Sequence, residues 1–317
     1  MASLGYIQIT RDCNQLCRFC SNPPSGRTAS LAELQAQVDD LLDGGADGVI
    51  LTGGEPTLSP NLCDLVAYTT ARGAPCRIIT NGQVLADGPL LDRLVEAGLR
   101  HLHVSLYSHS EPVQDMLTRN PGGWRRVVGA LERLGAHSAG LAVDLNVVIN
   151  HYNADHLDAI ARFVIRRFPF VRHLVFNFLD PSMNRTAEFP DTIPKLWEME
   201  VPLHRALMLL EAAGLTFRVE RVPLCYMVDY AHVSTETRKI VKEESRVIHF
   251  LDEKRRVSQH EPGAWLRGKG DACAHCRLDP ICAGLDSMDV HYDSSDLYPV
   301  FVDPADIIRR IRRPLQE

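Results

Sequence analysis

Nowhere does the chain run to the roughly 18 consecutive apolar residues of a membrane helix, and its opening MASLGYIQIT lacks the basic start and long apolar core of a secretory signal. A cytoplasmic location with no membrane partner is the expectation. Positive charge is not in excess either: Lys and Arg number 34 against 40 Asp and Glu, a net charge of −6. A bulk electrostatic grip on nucleic acid is therefore not expected, and the C-terminal IIRRIRR reads as a solvated helix face. Paired carboxylates, a Ser-His-Asp order, a phosphate-cradling P-loop, solenoid repeats and low-complexity tracts are all missing.

What is present is a globular chain of 317 residues, 45% hydrophobic, enough for one large core with a small satellite. Its nine cysteines are unevenly spread: 13, 17 and 20; 63 and 76; 225; then 273, 276 and 282. In a reducing compartment they point to metal or redox chemistry rather than to a disulfide framework. Cys63, in a helix, and Cys76, at the entry end of a strand, read as small core hydrophobes.

The chain repeats one plan of β-rich run, polar loop and amphipathic helix. Strands are expected at Tyr6–Thr10, Gly48–Thr52, Cys76–Thr80, Leu102–Leu106, Ala142–Ile149 and His173–Leu179. In SLAELQAQVDDLLDGG, Ser30 stands three residues before Glu33 as a capping box, and Leu31, Leu34, Val38, Leu41 and Leu42 form one stripe before Gly44. Further helices are expected at Pro89–Gly98, in GGWRRVVGALERLGA, near Ala154–Phe168 and over Pro194–Gly214. Strands separated by helices imply a parallel sheet with right-handed crossovers. Six units fall short of a full eight-fold barrel, so the expectation is an α/β fold over residues 1–214, a partial (β/α)6 TIM-like barrel or else an open, doubly wound sheet. Residues 215–317, with the short strand LTFRVERV, a charged irregular stretch and the second cysteine group, are expected to form a small C-terminal domain.

The strands end in polar residues: Thr10, Thr52, Thr80 with Asn81, Ser105, Asn150, and Asn177 with Asp180. Reacting groups gather at that edge of parallel α/β folds, and there RDCNQLCRFC leaves the first strand. Zinc usually takes four tetrahedral ligands, whereas CxxxCxxC offers three. An iron–sulfur cube held by three thiolates keeps one iron open.

CNQLCRFC after the first strand, followed by LTGGEPTLSP after the second, resembles the radical SAM superfamily over Tyr6 to about Leu179. The resemblance implies a [4Fe–4S] cluster on Cys13, Cys17 and Cys20, with S-adenosylmethionine (SAM) on its open iron. It assigns Gly53, Gly54, Glu55 and Pro56 to the methionine amino group and Phe19 to the adenine; capping the cluster from water is the alternative for Phe19. In physical terms the two glycines let the backbone turn sharply and approach a ligand closely, clearing a path where side chains would collide. Asn81, Ser105 and Asn150 match positions that contact the ribose, carboxylate and adenine, with local turn capping as the alternative for each. Tyr107, His109, Asp180 and Asn184 lie just beyond these strand ends and face substrate or cap loops. The implied activity is reductive cleavage of SAM to a 5′-deoxyadenosyl radical that abstracts hydrogen from a substrate carbon.

A second set, Cys273, Cys276 and Cys282 in CxxCx5C, has Cys225 of RVPLCYM upstream as a fourth donor. A zinc ribbon, with His275 as a partner, is one reading. The other is the resemblance to twitch or SPASM-like domains, which implies one auxiliary [4Fe–4S] cluster aiding substrate oxidation or anchoring. Peptide maturation such as crosslinking, or dehydrogenation or rearrangement of a nucleotide or sugar, fits such a domain. Only 12 residues precede Cys13, which argues against a built-in leader-recognition domain and so against a peptide, short of a separate recognition protein. Partners implied are a small-molecule or peptide substrate and an electron donor such as flavodoxin or ferredoxin. Two rival classes remain: an iron–sulfur electron-transfer or cluster-binding protein without SAM chemistry, which leaves GGEPT unexplained, and a zinc-stabilised binding module.

Overall fold

The computed structural model describes residues 4–137, 140–182, 184–244, 246–252, 255–259 and 266–313. Six βα units follow one another as expected. The strands are β1 (Leu4–Thr10), β2 (Gly48–Gly53), β3 (Cys76–Thr80), β4 (His101–Ser105), β5 (Ala142–Ile149) and β6 (His173–Phe178), each parallel to the next. Between and after them run helices α1 (Leu31–Asp43), α2 (Leu62–Ala71), α3 (Leu90–Glu96), α4 (Glu111–Thr118), α5 (Gly123–Ala136), α6 (Leu157–Arg167) and α7 (Leu196–Ala212). The chain is thus an α/β protein built as a partial barrel. Among the described residues no helix is long and apolar enough to cross a membrane.

Local chemistry explains these elements. Ser30 and Glu33 close the capping box of α1, Glu33 N–H donating to Ser30 Oγ at 3.3 Å and Ser30 N–H to Glu33 Oε2 at 3.0 Å. Leu34, Val38 and Leu41 are buried while Leu31 and Leu42 are only partly so. Helix α4 is an addition to the expected plan; its Asp115 accepts from the Gly122 and Trp124 N–H groups and so joins it to α5.

The sheet does not stop at residue 214. Strand β7 (Thr216–Glu220), expected in the C-terminal domain, pairs parallel with β6, and β8 (Arg246–Phe250) pairs parallel with β1, carrying β9 (Arg255–Gln259) antiparallel outside it. The reason is the incompleteness of the barrel: six strands leave two edges of unpaired N–H and C=O groups, and the following chain covers both. Helix α8 (Thr235–Lys242) lies between them in sequence, and α9 (Pro304–Arg312) buries Ile307 and Ile311 while its arginines face solvent, as IIRRIRR suggested. Leu278, Ile281, Leu285, Tyr292 and Leu297 join the same hydrophobic core as the barrel helices and strands.

Alternate strand residues face the barrel interior, and at its N-terminal end these are polar. Register sets Asp144 between His103 and His173, and His101 Nε2 lies 2.6 Å from Asp144 Oδ2. Burial, against the pull of Asp144, holds the His103 and His173 imidazoles down to about 4. The unfolded chain therefore takes up these protons first as pH falls, so their stabilising contribution is complete above the ordinary value near 6.5 and is lost between there and about 4. At about 1.4 kcal/mol per unit the loss reaches roughly 3 kcal/mol per imidazole. His103→Gln is expected to flatten the fall in urea midpoint between pH 7 and pH 4.5; an unchanged pH profile would show that His103 does not carry it.

Candidate functional site

The loop after β1 is positioned by backbone on three sides. The register of β1 against β2 slips between Gln8 and Thr10, a bulge that re-aims the chain just before the first cysteine. Gly54 N–H then donates to Thr10 O and Glu55 N–H to Asp12 O, both at 2.7 Å, and Leu16 and Arg18 N–H donate to Thr118 O and Leu117 O at the end of α4, at 3.0 and 2.9 Å. The loop alternates its faces. Cys17 and Phe19 turn inward into an apolar cluster with Tyr107, Leu117 and Leu179, while Leu16 is 43% exposed.

Cys13, Cys17 and Cys20 are free thiols close enough to raise one another's proton affinity. Desolvation is the larger cause: it pushes Cys13 up to about 11 and Cys17 and Cys20 upward too, while Arg185 lowers Cys17 and Cys20 and Arg11 lowers Cys20. One buried and two half-buried thiols, with proton affinities raised by desolvation, are a donor set whose ionised form a positive centre would favour. Three thiols leave a tetrahedral zinc one ligand short, whereas they suffice to hold an iron–sulfur cluster.

The GGEP turn serves the cysteine loop first. A Cβ on Gly53, whose φ is +141°, would lie 2.2 Å from Thr10 O, and one on Gly54 would lie 2.3 Å from Asp12 O. The glycines clear room for the backbone of the cysteine loop. Glu55 is 1% exposed and its carboxylate is engaged: Oε1 accepts from Thr57 N–H at 3.0 Å and from the Thr57 and Thr80 hydroxyls at 2.6 Å, and Oε2 from Asn81 N–H at 2.6 Å. Burial nevertheless outweighs these bonds and raises its proton affinity. The carboxylate knots β2 to β3, and Pro56 begins the 3-10 turn that follows.

The remaining candidates sort by their partners. Asn81 accepts from Gln83 N–H at 3.1 Å as a turn residue, yet donates to Asn14 Oδ1 of the cysteine loop at 2.7 Å. Asn150 is spent locally: its Nδ2 donates to Val148 O and its Oδ1 accepts from Tyr152 N–H. Ser105 reaches the buried Tyr107 hydroxyl, whose proton is held well above the usual range by burial and by the nearby Cys17. Phe19 meets the Tyr107 ring edge-on at 4.9 Å. His109 stacks edge-on to His156, Asp180 caps Ser182, and the Asn184 side chain lies outside the described residues. Tyr107, Gln15 (accepting from Cys17 Sγ at 3.2 Å) and Arg185 are neighbours of the thiols beyond the expected set. Only Tyr107 carried a sequence signal, its place just beyond a strand end.

Cys225, Cys273, Cys276 and Cys282 line one hollow. Gly284 N–H donates to Cys282 Sγ at 3.4 Å and Val300 N–H to Cys276 Sγ at 3.3 Å. Desolvation pushes Cys225 up to about 12, with Cys282 and Cys273 adding to it. Cys225 thus folds back onto the other three. His275 is not among the residues that line the hollow.

The glycine argument can be tested on stability. Gly53→Ala adds a backbone clash to positive-φ strain and is expected to cost upward of roughly 2 kcal/mol in urea unfolding. Gly88→Ala, at φ +76° with open space around it, should cost only the strain, about 1 kcal/mol. Equal losses would remove the clash from the account.

Comparison with known proteins agrees with this geometry. Residues 7–164 match the Radical SAM superfamily. The PqqA peptide cyclase of Xanthomonas axonopodis pv. citri (strain 306) is 32% identical over 168 residues, covering 48% of this chain and 41% of the relative, so the chain spans well under two thirds of that relative's length. Among solved structures, Streptococcus suis SuiB bound to S-adenosylmethionine superposes with a TM-score of 0.64 at 14% identity, over 94% of this chain and 76% of SuiB. The anSMEcpe structure with bound AdoMet and the Cp18Cys peptide gives 0.64 at 14% identity over 97% and 95% of the two chains. At such identity the likeness is one of fold. Fold, motif order and matched family together make this chain a member of the radical SAM superfamily.

Proposed function

We propose that this protein holds a [4Fe–4S] cluster on Cys13, Cys17 and Cys20, binds SAM at the iron those thiolates leave free, and acts on a peptide. The observation that carries the reading is the join between the cysteine loop and the GGEP turn, two backbone hydrogen bonds of 2.7 Å that hold a three-thiol loop against a turn with close backbone approach. Held by Cys13, Cys17 and Cys20, such a cluster would, once reduced, supply one electron for breaking a carbon–sulfur bond of the SAM sulfonium, giving methionine and a 5′-deoxyadenosyl radical.

The chain's own residues prepare that step. Phe19, Tyr107, Leu117 and Leu179 wall the thiols with apolar surface, which excludes water from a reactive centre. Glu55, with four donors around it, fixes the turn that the family resemblance assigns to the SAM ammonium. Asn81 ties the end of β3 to Asn14 beside Cys13. Cys225, Cys273, Cys276 and Cys282 hold an auxiliary [4Fe–4S] cluster, a reading supported by their common hollow and by N–H donors aimed at two of the sulfurs. A peptide substrate is supported by the relative named as a peptide cyclase and by likeness to a structure that contains a peptide. Nine free cysteines suit the cytoplasm.

Oxygen-free, reconstituted and reduced protein is expected to convert SAM to 5′-deoxyadenosine and methionine. Cys17→Ala should abolish the conversion, and inert wild-type protein with intact clusters would refute the reading. Separately, Cys225→Ala should lower bound iron from about eight atoms per chain toward about four; retention of all the iron would remove Cys225 from the auxiliary set.

A further inference from the structure

The polar row at the N-terminal end of the barrel interior belongs to neither cysteine set. Register builds it: His103 of β4, Asp144 of β5 and His173 of β6 stand side by side, and His101 lies two residues earlier on the same face of β4. His101 precedes Ser105 by four residues, so at about 3.3 Å per residue the row begins roughly 13 Å from the strand end nearest the cysteine loop. Interior layers of such barrels are ordinarily filled by branched apolar side chains. A layer of imidazoles and a carboxylate needs a partner of its own.

Hydrogen bonding leaves lone pairs here for an ion. Thr216 O–H donates to Arg172 O at 3.1 Å, so the Thr216 oxygen accepts from His173 Nδ1–H at 2.7 Å and His173 Nε2 keeps its lone pair. His103 is committed through neither nitrogen: Nδ1 stands 3.5 Å from Asp144 Oδ2, and Nε2 is buried without a hydrogen-bond partner. Buried polar atoms of native proteins are nearly always partnered, so this nitrogen calls for an explanation. His101 Nε2 donates to Asp144 Oδ2 at 2.6 Å, and the His101 and His103 rings stack 4.8 Å apart with their planes 10° from parallel. His101, His103 and Asp144 thereby offer three ligand atoms within 4.8 Å of one another.

We propose that His101, His103 and Asp144, with His173 as a further ligand, bind one divalent transition ion of the zinc type and that this ion clamps β4, β5 and β6 together away from the cysteine loop. The proposal does not rest on the cluster reading above. Imidazole with a single carboxylate is a donor set that suits zinc. The ion takes the place of the proton between His101 Nε2 and Asp144 Oδ2, and that proton moves to His101 Nδ1. Arg77 and Arg218 bring positive charge to the row, which limits it to a single ion balanced by Asp144. The hydrogen bond from His173 to Thr216 is the outer contact that fixes the ring for ligation. With every position taken by protein the role is structural rather than catalytic.

The test uses the full chain, oxygen-free and with its clusters reconstituted, mixed with equimolar zinc sulfate and desalted. Metal analysis is expected to find about one zinc per chain beside the iron, and X-ray absorption at the zinc edge to show only nitrogen and oxygen neighbours at about 2.0–2.1 Å. Added zinc should raise the urea midpoint. His101→Ala/His103→Ala is expected to keep the iron and lose the zinc. Asp144→Asn preserves side-chain size and should lose both the zinc and the zinc-dependent midpoint shift, so it decides the question if the double variant does not fold. Thr216→Val, which leaves every ligand in place, should weaken zinc binding at least about tenfold. Wild-type protein without zinc, zinc retained by Asp144→Asn, or sulfur neighbours at about 2.3 Å would each overturn the proposal, the last by placing the ion on cysteines.

Discussion

The structure depends on one close approach: the backbone of the loop after β1 lies against the backbone of the turn after β2, with Gly54 and Glu55 N–H groups donating to Thr10 and Asp12 carbonyls at 2.7 Å. Side chains cannot exist between two backbones at that distance, so both turn positions are glycine. The contact fixes where the first cysteine leaves the sheet. Glu55 extends the constraint to a third strand by gathering donors from Thr57, Thr80 and Asn81. A carboxylate buried to this depth persists because its bonding capacity is filled from three directions.

The same economy governs the thiols. Burial disfavours their ionised form, and the two nearby guanidiniums, Arg11 and Arg185, offset it only in part. An iron–sulfur centre held by these thiols would complete that balance, its metal ions bringing the missing positive charge. The second cysteine set repeats the device with Lys269 beside Cys282 and N–H groups directed at sulfur.

Much of this was legible in the residues. Six parallel strands could be read because each has a β-rich run ending in a polar residue, and those ends proved to be where the cysteine loop, Glu55, Asn81 and Ser105 converge. The extra strands were not legible. LTFRVERV is a short ordinary strand whose partner is decided by the open edge of β6, and β8 is recruited by the open edge of β1, information held in the topology rather than in either segment. Helix α4 was hidden by its brevity, eight residues with a proline at its second position. Glu55 was identified by motif but its partners could not be, because Thr80 and Asn81 lie 25 and 26 residues away. Arg185 carried no pattern at all; its proximity to Cys17 arises only when the loop after β6 folds over the barrel mouth.

The central claim is that the centre on Cys13, Cys17 and Cys20 has an iron open to SAM. Electron paramagnetic resonance of the reduced, oxygen-free Cys273→Ala/Cys276→Ala variant isolates that centre from the second cysteine set. The account predicts a [4Fe–4S] signal whose g values move when SAM is added. A signal identical with and without SAM would contradict it.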